Sequence, residues 1–481
     1  MISIEYLDSA YLQCICEDSI ARELYEHFTF DVPGARFNPK FRAKVWDGKI
    51  RLYNLRNNTI FAGLRDRIKE FAIERNYEFV DYKAAATEFS IVEAEKFISD
   101  LKLPMEVREY QLKAFVSAIR HKRRVLVSPT ASGKSLIAYM ITAWFKTKTL
   151  IIVPTISLVQ QMVSDFESYG CPVAMHSIIG GSDKTVDAMI TISTWQSIYN
   201  MPAKFFDDYK LVIGDEAHLF KAKSLISILS KMTNTPYRIG MTGTLDGSNV
   251  HQLVLEGLFG SVDNVTTSSE LMDSGHIARL KIKVITILHN PAVFKPILGS
   301  KYEYNDEFEY LISLRSRNQF IVNLTKSLKG NTLLLFSRVE KHGKILFDML
   351  DGENCAYIFG GTDSEDREEI RTRAENSTDL KIVASYGVFS TGVSIKNLHN
   401  IIFTSPFKSR IRTLQSIGRG LRLHDSKDVC RLFDIADDLT NRNTLNYTLK
   451  HMIERIKYYN EEKFDYEMYS IKLNYGVKNE T

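Results

Sequence analysis

Short apolar runs alternate with longer amphipathic stretches over most of the chain. Between residues 100 and 265 these runs are RRVLVSP, TKTLIIVP, MITIST, YKLVIGDE and YRIGMTG. Short aliphatic runs closed by polar residues, proline or glycine are typical of buried parallel strands, and the stretches between them suit crossover helices. The alternation returns between residues 279 and 440 in LKIKVITI, NTLLLFS, CAYIFG, LKIVAS, HNIIFTS and VCRLFD. The pattern predicts an α/β chain with two tandem parallel-sheet lobes, 100–270 and 279–440, and a ligand cleft between them.

The two ends of the chain follow other patterns. Residues 1–95 mix short alternating segments with an amphipathic helix, which predicts a small α+β domain. Residues 441–481 have helical spacing with mixed charge, which predicts a short helical C-terminal extension. We expect the lobes to be joined near residues 272–280, which include Gly275.

Composition narrows the class of protein. The 481 residues are 44% hydrophobic and 25% charged, which is ordinary for globular domains and excludes a disordered chain or a collagen-like fibre. Of the cysteines only Cys14 and Cys16 are close, and with no second pair they predict free thiols rather than zinc ligands. The N-terminus lacks a signal peptide, and no apolar run is long enough to cross a bilayer. We therefore expect a soluble, cytoplasmic protein with no membrane partner.

A candidate phosphate site follows the strand RRVLV. A loop of small residues leads there into the apolar helix LIAYMITAWF, and this order forms a cage of backbone N–H groups for an anion. Lys134 would add a positive charge for the β and γ phosphates of ATP, and the Ser135 hydroxyl would ligate Mg²⁺. Ser128 stands where the strict motif has glycine. The candidate ATP-binding residues of this loop are Pro129, Thr130, Ala131, Ser132, Gly133, Lys134 and Ser135.

A pair of acidic residues ends the strand in YKLVIGDEAHLF. Asp215 at the carboxyl edge of a parallel sheet would face the phosphates and hold Mg²⁺ through water, and Glu216 would polarise the attacking water as general base. The tetrapeptide is rare enough to make coincidence with the phosphate loop improbable. His218 fits two interpretations equally well, a coupling residue and an ordinary core or surface histidine.

A pair of arginines in QSIGRGLR provides the third signal. Arg419 and Arg422 are three residues apart, so one helical turn presents both on one face. The planar guanidinium suits charge spread over phosphoryl oxygens, so we interpret the two as arginine fingers that reach from the second lobe to ATP. Taken alone, two arginines on one turn are also common on a solvated helix face.

Together these motifs resemble those of superfamily-two helicases and translocases, whose fold is a pair of RecA-like lobes. The resemblance implies that Arg108 and Gln111 contact adenine and that Gln415 and Gly392 approach the nucleotide. It further implies coupling of hydrolysis to the nucleic-acid track by His218, Thr242, Gly243 and Thr244, and DNA contacts by Pro154, Thr155, Thr194, Ser385 and Thr391. Thr391 and Ser394 stand where many members carry Arg and Asp.

A narrower resemblance rests on three further segments, FNPKFRAKVWDGKIRLY, SYGVFSTGVSIKNLH and IERIKYYNEEKFDY. These segments resemble the UvsW-type recombination helicases of T-even bacteriophages, over essentially the whole chain. The resemblance implies an ATP- and Mg²⁺-dependent DNA helicase that moves 3′ to 5′, migrates branches, reverses stalled forks, and unwinds R-loops and Holliday junctions in recombination, repair and replication. The implied partners are branched and forked DNA, RNA–DNA hybrids, and recombination and single-strand-binding proteins of the infected cell.

The net charge of +4 conceals a basic segment near the N-terminus. Residues 36–56 hold seven basic side chains and one acidic side chain, Asp47. Asp47-Gly48 is typical of a two-residue hairpin turn, and folding about it would pair Trp46 with Lys49 and Lys44 with Arg51. Like charges opposed across strands call for an external anion. We therefore interpret one face of this hairpin as DNA-binding, with a solvated outer face as the alternative. Its members are Lys40, Arg42, Lys44, Trp46, Lys49, Arg51 and Tyr53.

Four other functions are weighed against a DNA helicase. An ATP-gated binding module without catalysis would not need the water-activating Glu216. A nuclease or restriction subunit would need a compact carboxylate-plus-lysine or HNH-like cluster, and neither end of the chain shows one. A DEAH-box RNA helicase would need large accessory domains after the second lobe. A duplex DNA translocase subunit without strand separation remains the main alternative.

Overall fold

The computed structural model describes residues 1–32, 34–81, 87–180, 187–219, 222–245, 249–299, 302–352, 354–391, 395–440 and 444–473. The chain forms two compact units, Met1–Pro129 with Gly133–Thr266, and Thr267–Thr481 with Thr130–Ser132. The strands are β1 Ile2–Tyr6, β2 Tyr11–Ile15, β3 Thr29–Asp31, β4 Lys49–Arg51, β5 Thr59–Phe61, β6 Phe79–Asp81, β7 Arg123–Val127, β8 Thr149–Val153, β9 Met175–Ile178, β10 Ile190–Thr194, β11 Leu211–Gly214, β12 Tyr237–Thr242, β13 Val262–Asn264, β14 Arg279–Leu288, β15 Thr332–Phe336, β16 Cys355–Ile358, β17 Lys381–Ser385, β18 Asn400–Phe403, β19 Val429–Asp438 and β20 Tyr466–Lys472.

The helices are α1 Asp18–His27, α2 Pro39–Arg42, α3 Arg65–Glu74, α4 Ile91–Asp100, α5 Glu109–His121, α6 Lys134–Phe145, α7 Ile156–Ser168, α8 Trp195–Ile198, α9 Ala222–Leu229, α10 Asn249–Phe259, α11 Ser268–Asp273, α12 Pro291–Leu298, α13 Tyr304–Ser313, α14 Arg315–Ser327, α15 Lys344–Leu350, α16 Ser364–Asn376, α17 Tyr386–Thr391, α18 Arg410–Gly420 and α19 Tyr447–Glu461. None of these helices combines the length and the apolar character that a membrane crossing requires.

The N-terminal region forms a small sheet in the order β5-β2-β1-β6. Alternate residues such as Ile2, Ile4 and Leu12 are buried, because successive side chains of a strand point to opposite faces. The core of this sheet is continuous with that of the first lobe. Two contacts extend the junction: Arg67 pairs with the buried Glu256 at 2.7 Å, and the N–H of Ser9 donates to the carbonyl of Thr233 at 2.8 Å.

The first lobe contains a parallel sheet whose strands, within the described ranges, follow the order β13-β7-β12-β11-β8-β10-β9. All its strand pairs are parallel, and every residue of β8, β10 and β11 is buried. The second lobe has the order β16-β17-β15-β18-β19-β14-β20, also with parallel pairs throughout. The predicted α/β fold with two tandem parallel-sheet lobes is therefore confirmed.

The C-terminal extension is helical only in part. The helix α19 agrees with the prediction, but it is followed by β20, which pairs in parallel with β14 from Tyr466 to Lys472. The prediction was wrong for these residues because the partner strand lies almost 200 positions earlier in the chain. Without β20, the strand β14 would end the sheet with unpaired backbone groups. The tyrosine and isoleucine residues of β20 suit an extended segment.

The structure also contradicts the hairpin predicted about Asp47-Gly48. The residues before this turn form α2 instead of a strand, because the Asn38 side chain accepts the N–H of Lys40 at 3.0 Å and Pro39 occupies the first helical position. Such a cap and such a proline both favour the start of a helix.

The strand β4 pairs with β3 and not with residues 42–46. Its residues Lys49 and Arg51 lie opposite Asp31 and Thr29. The predicted cross-strand pairs between residues 42–46 and 49–53 are therefore absent, and Lys44 does not face Arg51 across two strands.

Candidate functional site

The loop between β7 and α6 has the backbone of a phosphate cradle. Ala131 and Gly133 adopt positive φ angles of 69° and 78°, and α6 begins at Lys134. The N-terminus of a helix directs free N–H groups and a partial positive charge toward an anion. Glycine is required at position 133, because a Cβ atom there would collide with the side-chain amide of Gln111.

The residues that the resemblance assigns to adenine lie at the start of α5. The backbone N–H of Arg108 donates to Oε1 of Gln111 at 3.0 Å, and its guanidinium donates to the hydroxyl of Tyr110 at 2.9 Å. Gln111 is buried, with 3% of its surface exposed. The structure therefore brings Gln111 against the loop at Gly133.

Two carboxylates follow β11 beside the phosphate loop. Nζ of Lys134 lies 3.6 Å from Oε1 of Glu216 and donates to the carbonyl of Ser128 at 3.3 Å. Glu216 has a φ of 48°, in the left-handed region that non-glycine residues rarely adopt. Such strain is often found at functional sites. The predicted residues Lys134, Asp215 and Glu216 are thus brought together where β11 ends.

Asp215 is the most strongly perturbed acid of this group. Burial and, to a smaller extent, the neighbouring Glu216 raise the pKa of Asp215 to about 7, against the opposing effect of Lys134. Its Oδ1 atom is buried and has no hydrogen-bond partner among the described residues. A buried carboxylate oxygen in this state fits a hard cation, because Mg²⁺ prefers oxygen ligands.

The second predicted Mg²⁺ ligand has a partner that the sequence did not reveal. The hydroxyl of Ser135 forms a hydrogen bond of 2.9 Å with the hydroxyl of Tyr169, just beyond α7. Tyr169 lies 34 positions away and belongs to no motif, so no signal in the sequence pointed to it. A hydroxyl and a carboxylate together are an oxygen donor set that fits Mg²⁺.

A hydrogen-bonded chain leads from His218, which lies beside Glu216, to the end of β12. Nδ1 of His218 lies 3.4 Å from Oε2 of Glu216 and 2.5 Å from Oγ1 of Thr242. The Thr242 hydroxyl donates to the carbonyl of Thr244 at 2.8 Å, so it accepts from Nδ1 of His218. The backbone of Thr242 accepts in turn from the N–H of Ser128 at 2.8 Å. His218 is buried within this chain, and Gly243 lies between its two threonines.

The first-lobe candidates for DNA contact lie at the carboxyl ends of β8 and β10, which are neighbours in the sheet. Oγ1 of Thr155 caps α7 by accepting the N–H of Leu158 at 3.4 Å, and the carbonyl of Pro154 accepts from Gln196 at 3.3 Å. The hydroxyl of Thr194 lies 2.8 Å from that of Ser197. Pro154, Thr155 and Thr194 therefore share one sheet edge.

The second-lobe candidates lie in and around α18 and β17. Gln415 is buried in α18, Arg419 is half-buried in its last turn, and Arg422 is half-buried two residues beyond its end. Ser385 is the last residue of β17. Thr391 ends α17, but its side chain lies outside the described residues, as do Gly392 and Ser394.

The N-terminal basic segment is partly neutralised by its own residues. Arg51 pairs with Asp47 and donates to the hydroxyl of Tyr25 at 2.6 Å, and the hydrogen bonds from Arg51 lower the pKa of Asp47 to about 2. Lys49 pairs with Asp31 at 3.5 Å. The indole N–H of Trp46 donates to the carbonyl of Lys49 at 2.9 Å.

The rest of the segment surrounds an open depression of about 860 Å³. Its lining residues are Arg36, Phe41, Arg42, Lys44, Val45, Trp46, Asp47 and Arg51. Lys40, Arg42 and Lys44 are exposed. The prediction that Tyr53 contacts DNA was wrong. Only 2% of its surface is exposed, and its ring packs in the core, where it cannot stack on a base.

Three family models match successive parts of the chain. The N-terminal model of the DNA helicase UvsW matches residues 1–81, the model of the type III restriction enzyme res subunit matches residues 104–247, and the helicase conserved C-terminal domain matches residues 316–424.

Two similar proteins and one solved structure extend these matches. The chain is 35% identical to the ATP-dependent DNA helicase uvsW of Enterobacteria phage T4, over 98% of this chain and 100% of that protein. It is 26% identical to the DNA 3′-5′ translocase XPB2 of Sulfurisphaera tokodaii, over 78% of this chain and 91% of that protein. The crystal structure of T4 UvsW covers 98% of this chain and 100% of that chain, with a TM-score of 0.52 and 34% identity.

Proposed function

Because the chain belongs to the UvsW family of ATP-dependent DNA helicases in superfamily two, we propose that it remodels branched DNA with the energy of ATP hydrolysis. The substrates are forks, Holliday junctions and R-loops, and the direction of movement is 3′ to 5′. The proposed setting is recombination, repair and recombination-dependent replication in the cytoplasm of a phage-infected cell, together with recombination and single-strand-binding proteins. The convergence of Lys134, Asp215 and Glu216 beside the phosphate loop is the observation that carries the proposal.

Hydrolysis begins with phosphate binding by the loop and α6. The backbone N–H groups of residues 130–135 hold the β and γ phosphates, and Nζ of Lys134 moves from Glu216 to the γ phosphate. Asp215 and Ser135 would hold Mg²⁺, which would neutralise charge on the phosphates. Gln111, supported by Arg108, contacts adenine.

Glu216 orients and polarises the attacking water. Once Lys134 turns toward phosphate, the carboxylate of Glu216 is free to accept a proton from water as that water attacks the γ phosphorus. The proton comes to rest on Glu216, and the bond to the β–γ bridging oxygen breaks. Arg419 and Arg422 stabilise the charge that develops on the phosphoryl oxygens, and Gln415 of α18 approaches the nucleotide. The family resemblance gives Gly392, outside the described residues, the same role.

The hydrogen-bonded chain through His218 couples ATP hydrolysis to the residues at the end of β12. A change in the charge of Glu216 alters its attraction for Nδ1 of His218, and His218 holds Thr242 and Thr244 at the end of β12. The adjoining sheet edge carries Pro154, Thr155 and Thr194, which contact the DNA backbone, and Ser385 and Thr391 do so in the second lobe. Gly243 lets the backbone of the coupling segment move.

The N-terminal segment adds a sequence-independent grip. Lys40, Arg42 and Lys44 provide positive charge for phosphates, and Trp46 provides a ring for a base or sugar. Lys49 contributes less, because it pairs with Asp31. Arg51 contributes less, because Asp47 already neutralises it.

Phosphate release and strand separation test the proposal together. Wild type, Lys134→Ala and the exposed-lysine control Lys204→Ala are assayed on a fork, a Holliday junction and an R-loop. We expect DNA-stimulated turnover and strand separation in wild type and control, and neither in Lys134→Ala. Equal indifference of the wild type to all three substrates would overturn the assignment to branched DNA.

A second candidate function is duplex translocation without strand separation. The similarity to the DNA 3′-5′ translocase XPB2 favours it. Displacement of a third strand from a triplex, with no unwinding of a fork, would select this alternative.

A further inference from the structure

One face of the second-lobe sheet carries a row of basic side chains outside the ATP and DNA motifs. In β14 the residues Arg279, Lys281 and Lys283 alternate with the buried Leu280 and Ile282. Alternate residues of a strand share a face, so the three cations point away from the core in one row. Arg279 and Lys281 are exposed, and Lys283 is half-buried.

The neighbouring strand extends this row sideways. Arg431 of β19 is exposed and lies directly opposite Lys281 in the parallel register. Like charges opposed on adjacent strands destabilise a sheet. Neither side chain forms an ion pair with any residue that the structure describes, so the repulsion between them is not relieved within the chain. We name Arg279, Lys281, Lys283 and Arg431 the β14 basic face.

The surroundings of the face are concave and mixed in charge. The face lines a depression of about 740 Å³, which Lys463 and Tyr466 also line. Three acids share it, Asp273, Asp465 and Glu467, and none of them lies within ion-pair distance of a cation of the face. Five cations against three acids leave the depression positive.

An aromatic residue borders the row on the edge strand. Nζ of Lys283 lies 5.4 Å from the ring centre of Tyr469, within the distance of a cation–π contact. Tyr469 is 42% exposed, and its hydroxyl donates to Glu467. The ring of Tyr469 keeps the Lys283 ammonium at the surface. Its hydroxyl also occupies Glu467, which would otherwise compete with a ligand for Lys283.

We infer that the β14 basic face binds the phosphate backbone of a duplex DNA arm, which gives this helicase a second grip away from its motor motifs. The inference rests on the proposed function for its ligand. The row from Arg279 to Lys283 extends about 13 Å along the strand, over which one strand of B-DNA presents about four phosphates. Long, unpaired cations in a regular row suit a regular polyanion, and they read no sequence.

The β14 basic face contributes to the affinity for DNA but takes no part in ATP hydrolysis. Each phosphate contact releases counterions, so it increases the salt dependence of binding. Hydrolysis in the absence of DNA does not involve these residues and should remain unchanged in their variants.

The test compares Lys281→Gln with Arg431→Gln, made together in the full chain, with wild type. The control is Lys326→Gln with Lys329→Gln, two exposed lysines at and beyond the end of α14 that do not line the depression. Binding to a blunt duplex and to a single strand of equal length is measured over a range of salt concentrations. The expected result is a slope of log affinity against log salt that is less steep by about 1.8 on the duplex, with about tenfold weaker binding at low salt.

Arg279→Gln with Lys283→Gln provides an independent second pair with the same expected change. An unchanged duplex slope in both pairs, while wild type still unwinds a fork, overturns the inference and leaves the proposed function intact. An equal loss on single strand and duplex overturns the assignment to duplex. Polyglutamate binding that is lost in the variants, with unchanged duplex binding, overturns it in favour of an acidic protein partner.

Failure of the proposed function has a different signature. In that case wild type shows no DNA-stimulated phosphate release and no strand separation, whatever the variants of the β14 basic face do.

Discussion

The phosphate loop with the end of β11, and the basic segment of residues 36–51, hold their charges in opposite ways. In the first region Asp215 is buried, Lys134 and Glu216 are largely buried, and Nζ of Lys134 lies 3.6 Å from Oε1 of Glu216. In the second, Lys40 in α2 and Lys44 in the turn after it are exposed. Interior charges act through fixed geometry, because water screens them little, whereas exposed charges act collectively on counterions.

The difference predicts two kinds of response to substitution. A single change in the buried group should abolish ATP hydrolysis. Single changes in the basic segment should each alter the affinity for DNA slightly, by an amount that depends on the salt concentration.

Glu216→Gln should reduce DNA-stimulated phosphate release by about 100-fold or more. The amide preserves the shape of the side chain but cannot accept a proton from water. Steady-state phosphate release on a fork measures the effect, and Glu109→Gln on the surface of α5 is the control. Turnover at the wild-type rate would remove Glu216 from the mechanism.

Asp215→Asn should stabilise the protein without nucleotide or Mg²⁺, by up to about 4 kcal/mol at about pH 8. Burial raises the pKa of Asp215 to about 7, so the folded state bears the cost of a buried charge above that pH. As pH falls below 7 the folded protein takes up a proton, and the cost declines progressively until the pH reaches the ordinary pKa of an aspartate, about 4. Urea unfolding at about pH 8 and about pH 5 measures the difference, which should shrink at the lower pH. An equal difference at both values would refute the assignment.

Thr242→Val should lower the free energy of unfolding by about 1–3 kcal/mol, because it removes the hydroxyl that joins His218 to Thr244. Strand separation per ATP hydrolysed should fall as well. Paired assays of unwinding and phosphate release on one fork measure the coupling. Thr147→Val is the control outside the hydrogen-bonded chain. A proportional loss of both activities would argue against a coupling role.

Lys40→Gln with Lys44→Gln should make the salt slope of DNA binding less steep by about 1.8, with hydrolysis in the absence of DNA unchanged. The control pair is Lys69→Gln with Lys96→Gln, both exposed. A slope equal to that of wild type would assign these lysines to a solvated outer face.

Asp47→Asn should steepen the same slope by up to about 0.9, the smallest effect of the series. Asp47 pairs with Arg51, and loss of its charge frees the guanidinium for a phosphate. Arg51→Gln should by contrast change the slope less than Lys44→Gln does. If the two variants change it equally, Arg51 is not held by Asp47 in solution.

The motor residues were predictable because their signals are local. A strand, a small-residue loop and a helix start lie within a few positions around Lys134, and Asp215 follows an aliphatic strand directly. Carboxyl ends of parallel strands meet at one sheet edge, so the two were expected together before any contact was known. The doubly wound sheets were predictable from the same periodicity.

The N-terminal segment shows where local signals fail. Asp47-Gly48 does form a turn, and Gly48 has a φ of 79°, but the strand opposite β4 is β3. The Asn38 cap and Pro39 direct the intervening residues into α2, so a correct turn signal led to wrong partners. The prediction for Tyr53 failed for a related reason. Tyr53 is buried in a core shared with the first lobe, and the residues next to it in the sequence give no sign of that burial.

The sequence by itself determined the fold class, the phosphate loop and the acidic pair, since these depend on periodicity and on residues a few positions apart. Only the tertiary structure decided the contact of Ser135 with Tyr169, the addition of β20 to the second sheet and the juxtaposition of Lys281 with Arg431. Each joins residues tens to hundreds of positions apart. Such pairs form because packing of the whole sheet brings them together, and no local pattern encodes that packing.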